Sequence, residues 1–172
     1  MSNPTLSQLP EKDVWETPVW LYGGIGERVG GFDLDPCAGP ETEIAATNWS
    51  IQRGQDGLDR EWFGDVWVNP PFSEKGRWLD KAVAEYEAGR ADRVFVVTPD
   101  STDVKSWFHG TIVPHATYVW FSEGRISYVD PETGEPSGHP SFGTAVSVFA
   151  DGLPAECRRW FDDHGWLVSG IE

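Results

Sequence analysis

The feature that most restricts the fold is a pair of short apolar runs with a helical segment between them. Val66-Trp67-Val68 and Val94-Phe95-Val96-Val97 carry no polar residue, and prolines follow at Asn69-Pro70-Pro71 and at Thr98-Pro99. Between them, Gly76 to Gly89 places Trp78, Leu79, Ala82, Val83 and Tyr86 at the spacing of one helix face. A continuous apolar run stopped by proline reads as a strand buried on both faces, so this stretch is a strand, a helix and a second strand.

The remaining segments extend that pattern. Phe32 to Asp35 is a short strand ending at Pro36, and residues 39–63 are irregular, with a helical turn at Ala45 and Ala46. A short helix over 102–112 carries Trp107, Phe108 and Ile112. A strand over 116–121 continues through 125–129, and a polar loop fills 130–140. Residues 142–150 close the sheet, and 154–168 finish with a helix and a Trp166-Leu167-Val168 strand. Glycines at 23, 24, 26, 30 and 31 weaken any helix after the aromatic stretch Trp15 to Leu21. The expected fold is α/β, with a mainly parallel sheet and an antiparallel pair at one edge. Residues 1–14 are expected to be flexible and 15–172 to form a single domain.

Composition narrows the setting. No run approaches the roughly 20 apolar residues of a membrane span. The opening MSNPTLSQLPEKD lacks the basic and apolar blocks of a secretory signal, so a cytoplasmic location is expected, that of the host cell if the protein is viral. Cys37 and Cys157 form no CxxC pair, and His109, His115, His139 and His164 have no metal-ligand spacing, so no metal is expected. Trp62, Trp67, Trp78, Trp107 and Trp120 are assigned to the core. The 28 acidic residues outnumber 13 Lys and Arg, giving a net charge of −15. That balance opposes long-range attraction to nucleic acid, which needs clustered cations. Acidic, Lys-poor folded chains also suit a cytoplasm of very high salt, where self-repulsion is screened.

The densest chemical signal is Asn69-Pro70-Pro71-Phe72 at the carboxyl end of a strand, where open α/β sheets place ligands. The prolines fix φ and remove two backbone donors, leaving rigid carbonyls. An amide oxygen beside such a carbonyl can accept both hydrogens of an exocyclic amine. Phe72 can stack on a planar base; the alternative is a plain turn with a core phenylalanine.

Taken in order, Trp15-Glu16-Thr17-Pro18, Phe32-Asp33-Leu34-Asp35-Pro36-Cys37-Ala38, Asp56-Gly57-Leu58, Asn69-Pro70-Pro71-Phe72 and Gly124-Arg125-Ile126 resemble the phage-type DNA N6-adenine methyltransferase family. The resemblance implies a single trimmed Rossmann-like domain using S-adenosylmethionine to methylate a flipped-out adenine in double-stranded DNA. It assigns catalysis to Asn69, Pro70, Pro71 and Phe72, and cofactor binding to Thr17, Pro18, Asp33, Asp35 and Asp56. Asp35 matches either the acid of the first cofactor strand or that of the next, which binds the ribose; Asp33 is the weaker candidate. Thr17-Pro18 reads otherwise as a helix start, and Asp56 as an ordinary Asp-Gly turn. Lys75, Arg77, Lys105 and Arg125 are the cations expected at DNA, with Arg125 alternatively pairing a carboxylate. NPPF alone also suits enzymes acting on RNA adenine or protein glutamine, and the charge alone would suit an acidic DNA mimic.

Overall fold

The computed structural model describes residues 15–136, 138 and 140–170. Residues 1–14 and His139 lie outside the described residues. Helix α1 (Val19–Val29) precedes strand β1 (Leu34–Asp35), and strand β2 (Thr47–Asn48) leads through two short 3₁₀ turns to β3 (Gly64–Val68). Helix α2 (Lys75–Glu87) and strand β4 (Ala91–Pro99) complete the central unit expected from the apolar runs. A π-helical segment (Lys105–Ile112) runs into a helical turn, α3 (Val113–His115). Strands β5 (Tyr118–Ser122) and β6 (Thr144–Ala150), helix α4 (Ala155–His164) and strand β7 (Gly165–Ser169) follow.

The seven strands lie in the order β2-β1-β3-β4-β6-β5-β7. β2, β1, β3 and β4 are parallel neighbours, whereas β6 runs antiparallel to both β4 and β5, and β7 antiparallel to β5. The α/β class stands, with an antiparallel region one strand wider than the expected pair. Alternation along β3 and β4 builds a core on each face of the sheet. Trp67, Phe95 and Val97 join residues of α1 and α4 on one side; Val66, Val68, Val94 and Val96 join residues of α2 and the Lys105–Ile112 segment on the other. All five tryptophans assigned to the core are buried.

Three local expectations change. Helix α1 forms despite Gly23, Gly24 and Gly26, because the missing side chains allow close packing. A Cβ on Gly24 would sit 2.5 Å from the Trp160 ring of α4, and one on Gly26 would lie 3.2 Å from Phe32. Close approach there outweighs the ordinary helix penalty of glycine. Ala45 and Ala46 lie in a bend rather than a helical turn, where Asn48 Oδ1 accepts the Ile44 and Ala45 N–H groups. Residues 125–129 do not prolong β5, since Gly124 adopts φ 72° and turns the chain out of the sheet. Val129 instead forms isolated bridges to Glu16 and Pro136.

Candidate functional site

The carboxyl ends of β1 and β3 open into a cavity of about 460 Å³. Its walls come from the leading segment 15–17, the turns after β1, the stretch 51–58, and the loop from β3 into α2. The parallel β1–β2 connection passes through residues 36–46 in turns and bends, which gives the trimmed second unit expected from the sequence. Asp35 ends the inner strand β1, which lies between β2 and β3.

Asp35 is 2% exposed, and its Oδ1 accepts the Cys37 N–H at 3.0 Å. Burial pushes its carboxyl up to about 7; the Cys37 N–H opposes this, and the charge of Glu16 adds to it. Thr17 is 4% exposed, lines the cavity, and its Oγ1 has no partner among the described residues. A buried hydroxyl without a partner carries a penalty of about 1–3 kcal/mol, which a polar ligand reaching it would remove. Asp56 also lines the cavity and caps the turn after it, with Oδ1 accepting the Leu58 N–H at 2.9 Å. The Asp-Gly turn is therefore real, yet the second oxygen has no partner among the described residues. Gly57 backs onto Pro36 so closely that any Cβ would collide with the Pro36 carbonyl, which brings the two acidic turns together.

Asn69 follows β3 directly. Its Nδ2 donates to the Trp15 carbonyl at 3.1 Å, and the residue lines the same cavity. That bond fixes the amide orientation and leaves Oδ1 as the acceptor available to a ligand. Pro71 lines the wall, and Pro70 is buried behind it.

The chain matches the family model for DNA N-6-adenine-methyltransferase (Dam) over residues 5–159. It belongs to that family. Among Dam relatives, the DNA N-6-adenine-methyltransferase of Haemophilus phage HP1 (strain HP1c1) is 28% identical over 146 residues, covering 84% of this chain and 82% of the relative. The enzyme of the same name from Escherichia phage T1 is 22% identical over 165 residues, covering 86% of this chain and 67% of the relative. Among solved structures, the 23S rRNA methyltransferase ErmE aligns with TM-score 0.47 and 14% identity, over 86% of this chain and 76% of that one.

The Dam motifs do not all meet at the cavity. Thr17, Asp35, Asp56, Asn69, Pro71 and Arg77 line it, whereas Pro18, Asp33, Pro70, Phe72, Lys75, Lys105 and Arg125 do not. Asp33 is exposed and accepts the Asp65 N–H at 2.8 Å, which anchors the start of β3. Phe72 is 7% exposed, with its ring edge-on to Phe142 at 5.4 Å and to Tyr128 at 6.0 Å. The core alternative thus describes Phe72 here, and no open stacking face is presented.

The expected DNA-contacting cations are also partly committed. Lys75 donates to the Phe72 carbonyl at 2.6 Å and lies over the Trp107 ring. Arg77 pairs with Glu74 at 2.8 Å, and Lys105 is exposed. Arg125 donates to the Pro140 carbonyl at 2.7 Å, holding the 123–143 loop rather than pairing a carboxylate. Sequence reasoning gave Glu16 and Thr42 no role, although both line the cavity and the Thr42 hydroxyl donates to Glu16. Glu16 lay inside a quoted motif; Thr42 carries no local signal. Among the described residues no cluster suited to a metal ion occurs, and no helix is long and apolar enough to cross a membrane.

Proposed function

We propose that the chain transfers the methyl group of S-adenosylmethionine to N6 of an adenine flipped out of double-stranded DNA. The observation carrying this reading is the anchored Asn69 amide, whose oxygen shares one cavity with the unpaired Thr17 hydroxyl and the Asp35 and Asp56 carboxylates. The polar groups fit a ligand with the mixed hydrogen-bonding character of this cofactor. Thr17, ahead of Pro18, suits its carboxylate; Asp35 suits its cationic amino-acid end; Asp56 suits its adenine amine. When bound, the cofactor supplies a methyl already activated on a positive sulfur.

The residues then do little bond chemistry and much positioning. The N6 lone pair is delocalised into the purine ring, which makes it a poor nucleophile. Asn69 Oδ1 would accept one of its hydrogens and draw the nitrogen towards sp³ geometry; the Pro70 carbonyl would accept the other only if the turn opens it to the cavity. Holding the amine in line with the methyl supplies much of the acceleration. The N–CH₃ bond forms as the S–CH₃ bond breaks, the bonding pair stays on sulfur, and one amine proton leaves through the acceptors to water. A base inside a duplex cannot reach this cavity, so extrusion is required. Phe72 can stack on the extruded base only if Phe142 swings off its ring.

The test is incubation with labelled S-adenosylmethionine and unmodified DNA, followed by nucleoside analysis. N6-methyladenine is expected from wild type and not from Asn69→Ala. Label in RNA or in protein glutamine, with DNA unlabelled, would overturn the substrate assignment.

A further inference from the structure

The cavity holds more negative charge than the residues assigned to the cofactor account for. Glu16 lies beside Asp35 in its wall, and the two carboxylates are electrostatically coupled. Its charge also reaches Tyr22, whose hydroxyl is pushed up first by burial and then by Glu16. Among the described residues, no Lys or Arg forms an ion pair with either acid, and Arg77, the cation in the wall, is paired to Glu74.

Glu16 is also held in place. Its backbone N–H and carbonyl both pair with Val129 at 2.9 Å, and its side chain accepts the Thr42 hydroxyl. The clasp requires Gly39, where a Cβ would sit 2.7 Å from Thr42 Oγ1 and 2.8 Å from Glu16 Oε1. An immobilised, unpaired carboxylate in a partly enclosed cavity gives a directional field, stronger than a solvated charge would give. Thr17 in the same wall carries a buried hydroxyl that has no partner among the described residues.

We propose that Glu16 makes the cavity a discriminator of ligand charge, favouring the cationic methyl donor over its neutral product. This rests on the cofactor reading above and deepens it. Donor and product share the adenosine and amino-acid ends. They differ in one methyl and one charge, because transfer converts a sulfonium to a thioether. A fixed carboxylate attracts the ammonium that both ligands share and, in addition, the sulfonium that only the donor carries, so methyl transfer itself weakens the product's hold and favours exchange. Glu16 is a positioning residue in this scheme and exchanges no proton.

Calorimetry at pH 8 with S-adenosylmethionine, S-adenosylhomocysteine and sinefungin tests this. Sinefungin carries a protonated amine where the methyl sits, so it should follow the donor. In Glu16→Gln, affinity for both cationic ligands should fall about tenfold, the weight of one charge at roughly 12 Å and an effective dielectric of about 20. Affinity for S-adenosylhomocysteine, which keeps the ammonium but lacks the sulfonium, should fall clearly less, so the donor-to-product ratio drops. Equal losses for all three ligands, or an unchanged donor-to-product ratio, would overturn the inference while leaving the cofactor reading intact. Wild type binding none of the three would overturn both. Should Glu16→Gln fail to fold, Thr42→Val releases the carboxylate without altering its charge; a ratio unchanged from wild type there also counts against the inference.

Discussion

Replacing Asp35 with asparagine should strengthen the unliganded fold and weaken the cofactor's grip, both in a defined pH window. In the folded chain burial raises the Asp35 carboxyl from 3.8 to about 7. A group with a raised folded pKa binds its proton more tightly when folded. Its contribution is therefore fully present below 3.8, and it is lost as pH rises through about 7. The difference corresponds to at most about 4 kcal/mol of fold stability forfeited by pH 8. Asp35→Asn keeps the shape without the buried charge, so it should melt higher than wild type at pH 8. The margin should shrink towards pH 5. Binding runs the other way. A cationic ligand requires the ionised carboxylate, so wild-type affinity should weaken about tenfold from pH 8 to pH 6 as that form becomes scarce. The asparagine variant should bind less tightly at pH 8 and vary little across the range. Thermal melting and calorimetry from pH 5.5 to 8.5, at constant ionic strength, measure both effects. A variant that melts lower than wild type at pH 8, together with a flat wild-type affinity, would refute the reasoning.

Other perturbations reach other parts of the molecule. Asn69→Ala should nearly abolish methyl transfer while cofactor affinity stays within about threefold of wild type, since the proposed mechanism sets the amide oxygen against the substrate amine; normal turnover in a methylation assay would remove Asn69 from the site. Phe72→Ala should lower stability by about 3 kcal/mol in denaturant titration, because it empties a packed ring position against Phe142 and Tyr128. An unchanged midpoint would mean the ring is not core. Glu85 is 1% exposed and accepts from Arg90, Lys81 and the Trp62 N–H, which offset its burial and hold its carboxyl down at about 2. Glu85→Ala should cost about 2–3 kcal/mol near neutral pH, and the wild-type contribution should fade as pH falls from 4.5 through about 2. With a net charge of −15, both melting temperature and methylation should rise from low to molar potassium chloride. A fall in both from the start would indicate conventional phosphate-led binding.

The parts of the fold legible in the sequence were those where one signal dominates. β4 is buried on both faces over Val94–Val97, where its run is apolar, and α2 follows the spacing of Trp78, Leu79, Ala82 and Val83. Helix α1 was obscured because intrinsic propensity and tertiary packing disagree there. Gly24 and Gly26 lower local helicity, yet they admit Trp160 and Phe32, and only the assembled sheet brings those rings near. The turn at Gly124 was hidden for the opposite reason. Residues 125–129 carry Ile126, Tyr128 and Val129 in a strand-like pattern, but Ile126 and Tyr128 enter the core from a loop held by Arg125 and Pro140.

The same logic separates the parts of the site. Asn69, Asp35 and Asp56 reach one cavity because each stands at the end of a strand or turn whose position the chain declares locally. Glu16 and Thr42 could not be paired, since 26 positions divide them and their contact exists only once the leading segment crosses the loop after β1. Phe72 marks the boundary between these cases. Its place after two prolines is written in the sequence, but the direction of its ring is set by Phe142, which arrives from the far end of the 123–143 loop. That loop also carries Arg125, whose bond to Pro140 holds its two ends together. Motion of Phe142 off the Phe72 ring should therefore strain the Arg125 contact, which would couple exposure of the Phe72 face to the 123–143 loop. Arg125→Ala should accordingly loosen the loop and raise the exchange of Phe142 ring environments seen by ¹⁹F NMR of fluorophenylalanine-labelled protein. An unchanged Phe142 signal would show that the ring moves independently of the loop's closure.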